Sequence, residues 1–258
     1  MQNTGLLDPF PLWTLLPITI TISLLSVELG FRVARSRKRR TADEPEAPSA
    51  GLMGATLGLL AFMLAFTFGL AGTRFEARRQ LVQSEANAIS TAYLRADLLP
   101  EPTRTDTRVL LKEYVDARLE GTNPAKVMES ISKSEVIHKR LWAQAVLATE
   151  KEKSAITSLF IQSVNQVIDL HSQRITAALR SRIPPAIWIG LYLVLILAMA
   201  AVGYQEGMAS KRRSIAVITL VCGFSVVMFL IADLDRPGRG YLQVNQEAMM
   251  DVKKAMQN

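Results

Sequence analysis

The sequence predicts an all-α membrane protein: four transmembrane helices with an inserted extramembrane helical domain. Three observations carry this. Four apolar stretches, Pro11–Phe31, Gly51–Gly72, Pro184–Tyr204 and Ser214–Ala232, each approach the roughly 20 residues a helix needs to cross a ~30 Å hydrocarbon core. The third, PPAIWIGLYLVLILAMAAVGY, carries no charge, and helix is the one single-segment way to satisfy its backbone in lipid. Between the second and third stretches lies a charged, helix-favouring block, Thr73–Ile183, of about 110 residues, long enough to pack as its own layer.

Composition narrows the function classes. The chain of 258 residues is 49% hydrophobic and 21% charged, too polar for a pure membrane bundle and too apolar for an ordinary soluble domain. The net charge is +7, but Lys and Arg gather where spans end, as topology determinants do, so nucleic acid is not an expected partner. The one cysteine, Cys222, lies mid-span, which excludes a disulfide framework and a cysteine metal site.

The first span follows MQNTGLLDPF, which lacks the basic start of a cleavable signal; its basic run, Arg32, Arg35 and Arg37–Arg40, comes afterwards. That order predicts an N-terminus outside and Arg32–Ala50 in the cytoplasm. The loop with Lys211, Arg212 and Arg213 falls on the same side. Both termini and the helical domain are then extracytoplasmic in a bacterial inner membrane. TADEPEAPSA, Thr41–Ala50, reads as a flexible connector.

The second span continues into the domain, since Leu57–Leu98 has no proline and Phe75, Leu81, Val82, Ala86, Ile89 and Tyr93 keep a helical spacing. LPEP, Leu99–Pro102, is a turn. Thr103 with Asp106 reads as a capping box opening a helix to about Glu120, which Gly121 stops; Asn123-Pro124 then reads as N-cap and N1 of the next. Val127, Ile131, Ile137, Leu141, Ala145 and Ala148 form one apolar stripe. Ile156, Leu159, Phe160, Val164, Val167, Ile168 and Ile175 form another, and Lys151–Ser154 bends or separates the two. There is no consequential strand signal and no internal repeat. The organisation is therefore 1–72, two spans with a basic, Pro-rich loop at 32–50; 73–183, the helical domain; 184–234, two further spans; and 235–258, a C-terminal tail.

Catalysis finds little support. The two histidines, His138 and His171, are far apart and on charged helix faces, where they read as solvent-facing residues or interhelical partners rather than metal ligands. HExxH, GxSxG, a phosphate-cradling glycine loop and a Cys–His pair are all missing, so an enzyme, a metal site and a cofactor are not expected. The second span is the better site. Gly54 and Gly58 form a GxxxG that Ala61, Ala65 and Gly69 extend, a stripe that lets backbones approach closely. Phe62 and Phe66 sit on an adjacent stripe. They read either as a lipid-facing or core pair, or as apolar rings of a pore that gates by dewetting.

A resemblance bears on this choice. LAFTFGLAGTRFEARRQLVQSEANAISTAYLR, Leu64–Arg95, resembles the bestrophin neck helix running into an Arg-aromatic-aromatic-Glu/Asn-x-Arg sequence, with Arg74-Phe75-Glu76-Ala77-Arg78 at that point. The family's bulky neck positions fall on Phe66, Phe62 and Gly58; the first two match in type and Gly58 does not. Asp233-Leu234-Asp235-Arg236-Pro237-Gly238-Arg239-Gly240 resembles the acidic turn after the last membrane helix of prokaryotic bestrophins. Over nearly its whole length the chain is similar to a bacterial bestrophin-like family, through RxxxRRxLVxxEANAI, Tyr93–Arg95 and DLDRPxxG.

The resemblance implies a bestrophin-like fold and a homopentamer around five copies of helix two. The expected function is an ion channel, with inorganic ions and the bilayer as partners and Phe62, Phe66 and Gly58 at the constriction. Arg74, Glu76, Arg78 and Glu85 then stand at the pore mouth, concentrating anions, or form intrahelical or intersubunit pairs with Asp233, Asp235 or Arg236. Glu28 and Arg32 read as an interfacial pair and Asn87 as a polar helix contact. With basic Arg236 after Asp233 and Asp235, calcium gating is not expected. Bestrophins keep their domain and termini in the cytoplasm, opposite to the orientation read from the charges, and the dense Arg37–Arg40 run favours the charges. The alternative is a non-conducting membrane-anchored scaffold or sensor whose helical domain binds a partner.

Overall fold

A computed structural model describes residues 5–40, 49–209, 215–238 and 240–257. Among them there is no strand, and the helices are α1 (Leu12–Arg40), α2 (Ser49–Ala96), α3 (Thr103–Glu120), α4 (Val127–Lys151), α5 (Ala155–Ile175), α6 (Pro185–Ala209), α7 (Ile215–Asp235) and α8 (Glu247–Ala255). A single π-helical turn, Thr176–Arg180, continues α5. Four of the runs are long and apolar enough to cross a membrane, through the apolar parts of α1, α2, α6 and α7. Most of the Thr41–Ala50 connector and the Lys211–Arg213 loop lie outside the described residues.

The chain divides into two compact units. The first comprises Met1–Thr73, Arg182–Arg236 and Gly240–Leu242; the second comprises Arg74–Ser181, 237–239 and Gln243–Asn258.

In the first unit α1 packs along α6 and against α7. Glycine makes the α1–α6 crossing possible. A Cβ on Gly30 would stand 2.0 Å from the Ala200 carbonyl oxygen, one on Gly203 1.9 Å from that of Val27, and one on Gly207 2.8 Å from that of Phe31. Val27, Phe31, Ala34, Ala198, Met199 and Val202 are buried. The hydroxyls of Thr19 and Tyr192 meet at 3.1 Å, and Lys38 Nζ donates to the Met208 carbonyl at 2.8 Å. Glu28 and Arg32 form their expected i,i+4 pair at 2.6 Å. Within the chain a close backbone approach is made by α6, where Gly203 and Gly207 form a GxxxG near the polar end of the span.

In the second unit one face of α2 (Ala86, Ile89, Ala92, Tyr93 and Ala96) is buried in a core with Leu110, Leu111, Tyr114 and Val115 of α3, and Val82 is buried one turn earlier. Ile137, Leu141, Ala145 and Ala148 of α4 and Phe160, Val164 and Val167 of α5 complete it. The α4 stripe matches expectation from Ile137 onward. On α5, Ile156 and Leu159 are 44% and 46% exposed, so the buried stripe is narrower than the apolar pattern. The tail adds α8, whose Met249 is buried in the same core; Met256 just beyond it is buried too, and its carbonyl accepts from the Tyr93 hydroxyl at 3.3 Å.

Three helix ends differ in detail from expectation. Thr103 is buried and caps nothing; Pro102 is the N-cap of α3, and the Glu101 carboxylate accepts from the Thr105 backbone and hydroxyl. Asn123 heads a turn, its side chain accepting from Ala125 N–H, and α4 starts only at Val127. Gly121 does end α3, but with φ −67; the glycine is needed for space, since a Cβ would lie 2.5 Å from Ser130 Oγ. The Lys151–Ser154 break is real, and Ser154 with Thr157 forms a capping box at the start of α5.

Candidate functional site

The apolar part of α2 buries one edge in the first unit and leaves the rest uncovered. Leu60, Leu64, Thr67 and Ala71 are buried at alternating four- and three-residue spacing, one side of a helix. Phe62 is 70% and Phe66 68% exposed, with Gly58, Ala61 and Ala65 also exposed. A Cβ built on Gly51, Gly54, Gly58, Gly69 or Gly72 meets nothing within 4 Å. The small-residue stripe and the aromatic pair therefore lie on a face that the described helices of this chain do not fill.

Beyond Thr73 the charges separate by environment. Glu76 is exposed, takes a hydrogen bond from Gln80 and pairs with Arg79 at 3.6 Å. Arg74 is half-buried, and Arg78 is buried with its guanidinium 6.0 Å from the Phe75 ring centroid. Asn87 is exposed rather than packed on a neighbouring helix of the chain. Glu85 is fully buried, and its partners are not the acidic turn after α7 but Arg118 of α3 and Arg174 of α5.

Glu85 is the centre of a polar cluster inside the second unit. Arg118 Nε lies 3.2 Å from Oε1, and Arg174 bonds Oε2 while its other nitrogen donates to Gln246 at 3.3 Å. The Tyr114 hydroxyl donates to Oε1 and faces His171 Nδ1 at 3.2 Å. His138 stacks edge-on against His171, ring centroids 4.7 Å apart, and lies 4.9 Å from the Tyr114 ring. Burial alone would raise the Glu85 pKa, but Arg174, Arg118 and the hydrogen bonds hold it below the ordinary value. Tyr114 is pushed well up by burial and by the Glu85 charge.

The network assigns a tautomer. Glu85 is an ionised acceptor, so Tyr114 spends its one proton there and can only accept from His171; Nδ1 carries the proton and Nε2 is a bare lone pair. Among the described residues no hydrogen-bond partner stands at the buried Nε2 of His171 or of His138. Burial lowers the His138 pKa to about 4 and the His171 pKa to about 3, Arg118 adding to both.

The turn after α7 is a separate construction in the first unit. Asp233 accepts from the backbone N–H of Tyr241 at 2.6 Å and of Leu242 at 3.1 Å. Gly240 is required there, since a Cβ would lie 2.2 Å from the Asp233 carboxylate. Asp235 accepts from Ile183 N–H at 2.9 Å, and its carbonyl takes a bond from Arg182. Arg182 pairs with Asp8 at 3.0 Å, and Arg236 donates to the carbonyls of Leu7 and Phe10. These residues clamp the approach to α1, the start of α6 and the chain leaving α7. Past the clamp, Pro237 is half-buried, and Gly238 has φ +72, left-handed backbone that glycine adopts without strain.

This combination of four apolar helices, a long α2 and a DLDRPxxG clamp coincides with a family match. The model of the bestrophin-like domain matches residues 20–249. The chain belongs to the bestrophin-like family. The bestrophin-like chain has the fold of solved bacterial proteins. A bestrophin homologue from Klebsiella pneumoniae is 14% identical, with 94% of this chain and 96% of that one covered and a TM-score of 0.64. A tyrosine-to-alanine variant of the Klebsiella pneumoniae homologue is 15% identical at TM-score 0.65, covering 92% and 97%. A membrane protein carrying a glycine-to-alanine substitution is 12% identical at TM-score 0.67, covering 92% and 96%. No curated protein matches the sequence.

Sequence reasoning named Glu85, His138 and His171 but not Tyr114, Arg118 and Arg174, nor that the fold brings them together. His138 and His171 are 7% and 3% exposed, not solvent-facing, and they do serve as interhelical partners. A signal was present. His138 falls seven residues after Ile131 and three before Leu141, and His171 four after Val167 and seven after Val164, so each lies on its helix's apolar stripe.

Proposed function

We propose that this bestrophin-like chain is a pentameric ion channel in which α2 lines the pore and Phe62 and Phe66 form its apolar constriction. The observation that carries the reading is the uncovered face of α2: two phenylalanines 70% and 68% exposed beside a row of glycines with open space at every Cβ position. Small residues expose backbone that another helix covers by van der Waals contact, which lipid tails do less well, so this face suits neighbouring copies of α2. Membership of the bestrophin-like family supports the same arrangement. A bore walled by one helix per subunit takes about five copies, and each phenylalanine then supplies an apolar ring that resists wetting. Gly58 leaves the third neck position without a ring. Arg74 and Glu76 follow on the same helix and set the ion concentration at the mouth, whereas Arg78 is buried within the protomer.

Phe62→Ala with Phe66→Ala is the test, in protein whose oligomer size matches wild type. The double variant should raise ion flux into liposomes, because widening an apolar ring lowers its dewetting barrier steeply. Arg74→Gln should lower any preference for anions. No flux from either wild type or the double variant, in correctly assembled protein, rejects the channel and leaves the scaffold or sensor.

A further inference from the structure

We propose that His138 and His171, set against Arg118, Arg174 and Glu85 inside the second unit, form an acid-sensitive latch that loosens the α2–α5 packing when either ring takes up a proton. The chain has two histidines, and the fold brings both together from different helices, away from the proposed pore residues. Histidine is the side chain whose ordinary pKa, near 6.5, lets it titrate between pH 5 and 7. In an opened state, side-chain proton uptake in that range falls on this pair.

The surroundings decide what such a proton does. Facing the pair are Glu85 from α2, Tyr114 and Arg118 from α3, and Arg174 beside them on α5, with Gln246 ahead of α8 bonded to Arg174. Two guanidinium groups already meet one carboxylate there. A protonated imidazole adds a third buried cation and no new anion. The Tyr114 hydroxyl is committed to Glu85, and among the described residues no hydrogen-bond partner stands at either Nε2. Folded protein thus keeps both rings neutral, with pKa values of about 4 and about 3, while an opened state exposes them at about 6.5.

The sign follows from linkage. A folded pKa below the opened-state value means the opened form binds more protons as pH falls. The latch is therefore fully closed above pH 6.5 and weakens progressively toward pH 4. Two rings exposed together give an opening equilibrium that rises up to about a hundredfold per pH unit in the steepest part of that window.

Hydrogen–deuterium exchange of the full-length protein in nanodiscs, at pH 7 and pH 5 with protection factors corrected for intrinsic exchange, reads this directly. Protection in α3, α4 and α5 should fall at least tenfold in wild type, and less than twofold in His138→Gln/His171→Gln. Unchanged wild-type protection overturns the latch, and so does a double variant that keeps the full drop, since carboxylates would then carry it. Should that variant not fold, carbon NMR shifts of labelled histidine in the wild-type protein decide. Both rings remaining neutral in the folded protein at pH 5, while protection falls, supports the latch; a folded-state midpoint near 6.5 for both overturns it.

Discussion

Glu85 and Glu76 stand on the same helix, yet burial gives them different weights. Glu76 is exposed and pairs with a solvent-exposed Arg79, a pair worth at most about 1 kcal/mol. Glu85 is 0% exposed and neutralises two guanidinium groups whose side chains are 9% and 13% exposed. Removing one partner of a buried ion pair leaves the other uncompensated, at about 3–5 kcal/mol. Glu85→Gln should therefore lower unfolding stability by about that amount in denaturant titrations of the purified protein, and Glu76→Gln should change it by no more than about 0.5 kcal/mol. Equal effects would mean that the cluster is not the electrostatic centre of the second unit. Helical periodicity tells which face of α2 is buried, and Glu85 shares that face with Val82 and Ile89. It does not tell which helices meet the face. Arg118 and Arg174 are distant in sequence, so the partnership becomes visible only when α3 and α5 have packed.

At the scale of elements, a small-residue stripe means different things on α2 and on α6. Both helices carry GxxxG. On α6 the motif is filled: Gly203 and Gly207 press on the α1 backbone so closely that a Cβ would overlap a carbonyl oxygen or its neighbours. On α2 it is open. Gly203→Leu should accordingly prevent proper folding of the first unit, seen as loss of monodisperse protein in size-exclusion chromatography. Gly58→Leu should leave the protomer folded and, where α2 meets other copies, reduce the oligomer on native gels. An intact oligomer with Gly58→Leu would take that face out of the assembly. The sequence made the helices themselves legible, because apolar runs of membrane-spanning length and stripes of period 3.6 are strong signals. Helix ends were less legible. Thr103 and Asn123 have the chemistry of caps, but Thr103 is drawn into the core, and the turn at Asn123 is completed before α4 begins.

For the whole molecule, α8 turns topology into a measurable quantity. Met249 and Met256 are buried in the core of the second unit, Tyr93 bonds the Met256 carbonyl, and Lys253 pairs with Asp116 of α3 at 2.8 Å. The end of the chain and the helical domain therefore share one side of the membrane, as an even number of spans between α2 and the tail requires. A reporter placed after Asn258 reports the domain as well. The basic run ending α1 predicts a cytoplasmic position for that loop, since short loops rich in Lys and Arg resist translocation, and a domain on the opposite side is the expectation to test. Alkaline phosphatase fused after Asn258 should then be active and a fluorescent protein at the same position dark. The reverse pattern would place Arg37–Arg40 across the membrane against the charge rule and give the chain the orientation that bestrophins have. The result also bears on the latch. A domain outside the cytoplasm meets the pH of the medium directly, and two neutral histidines between two arginines would then respond to external acid without any proton crossing the membrane.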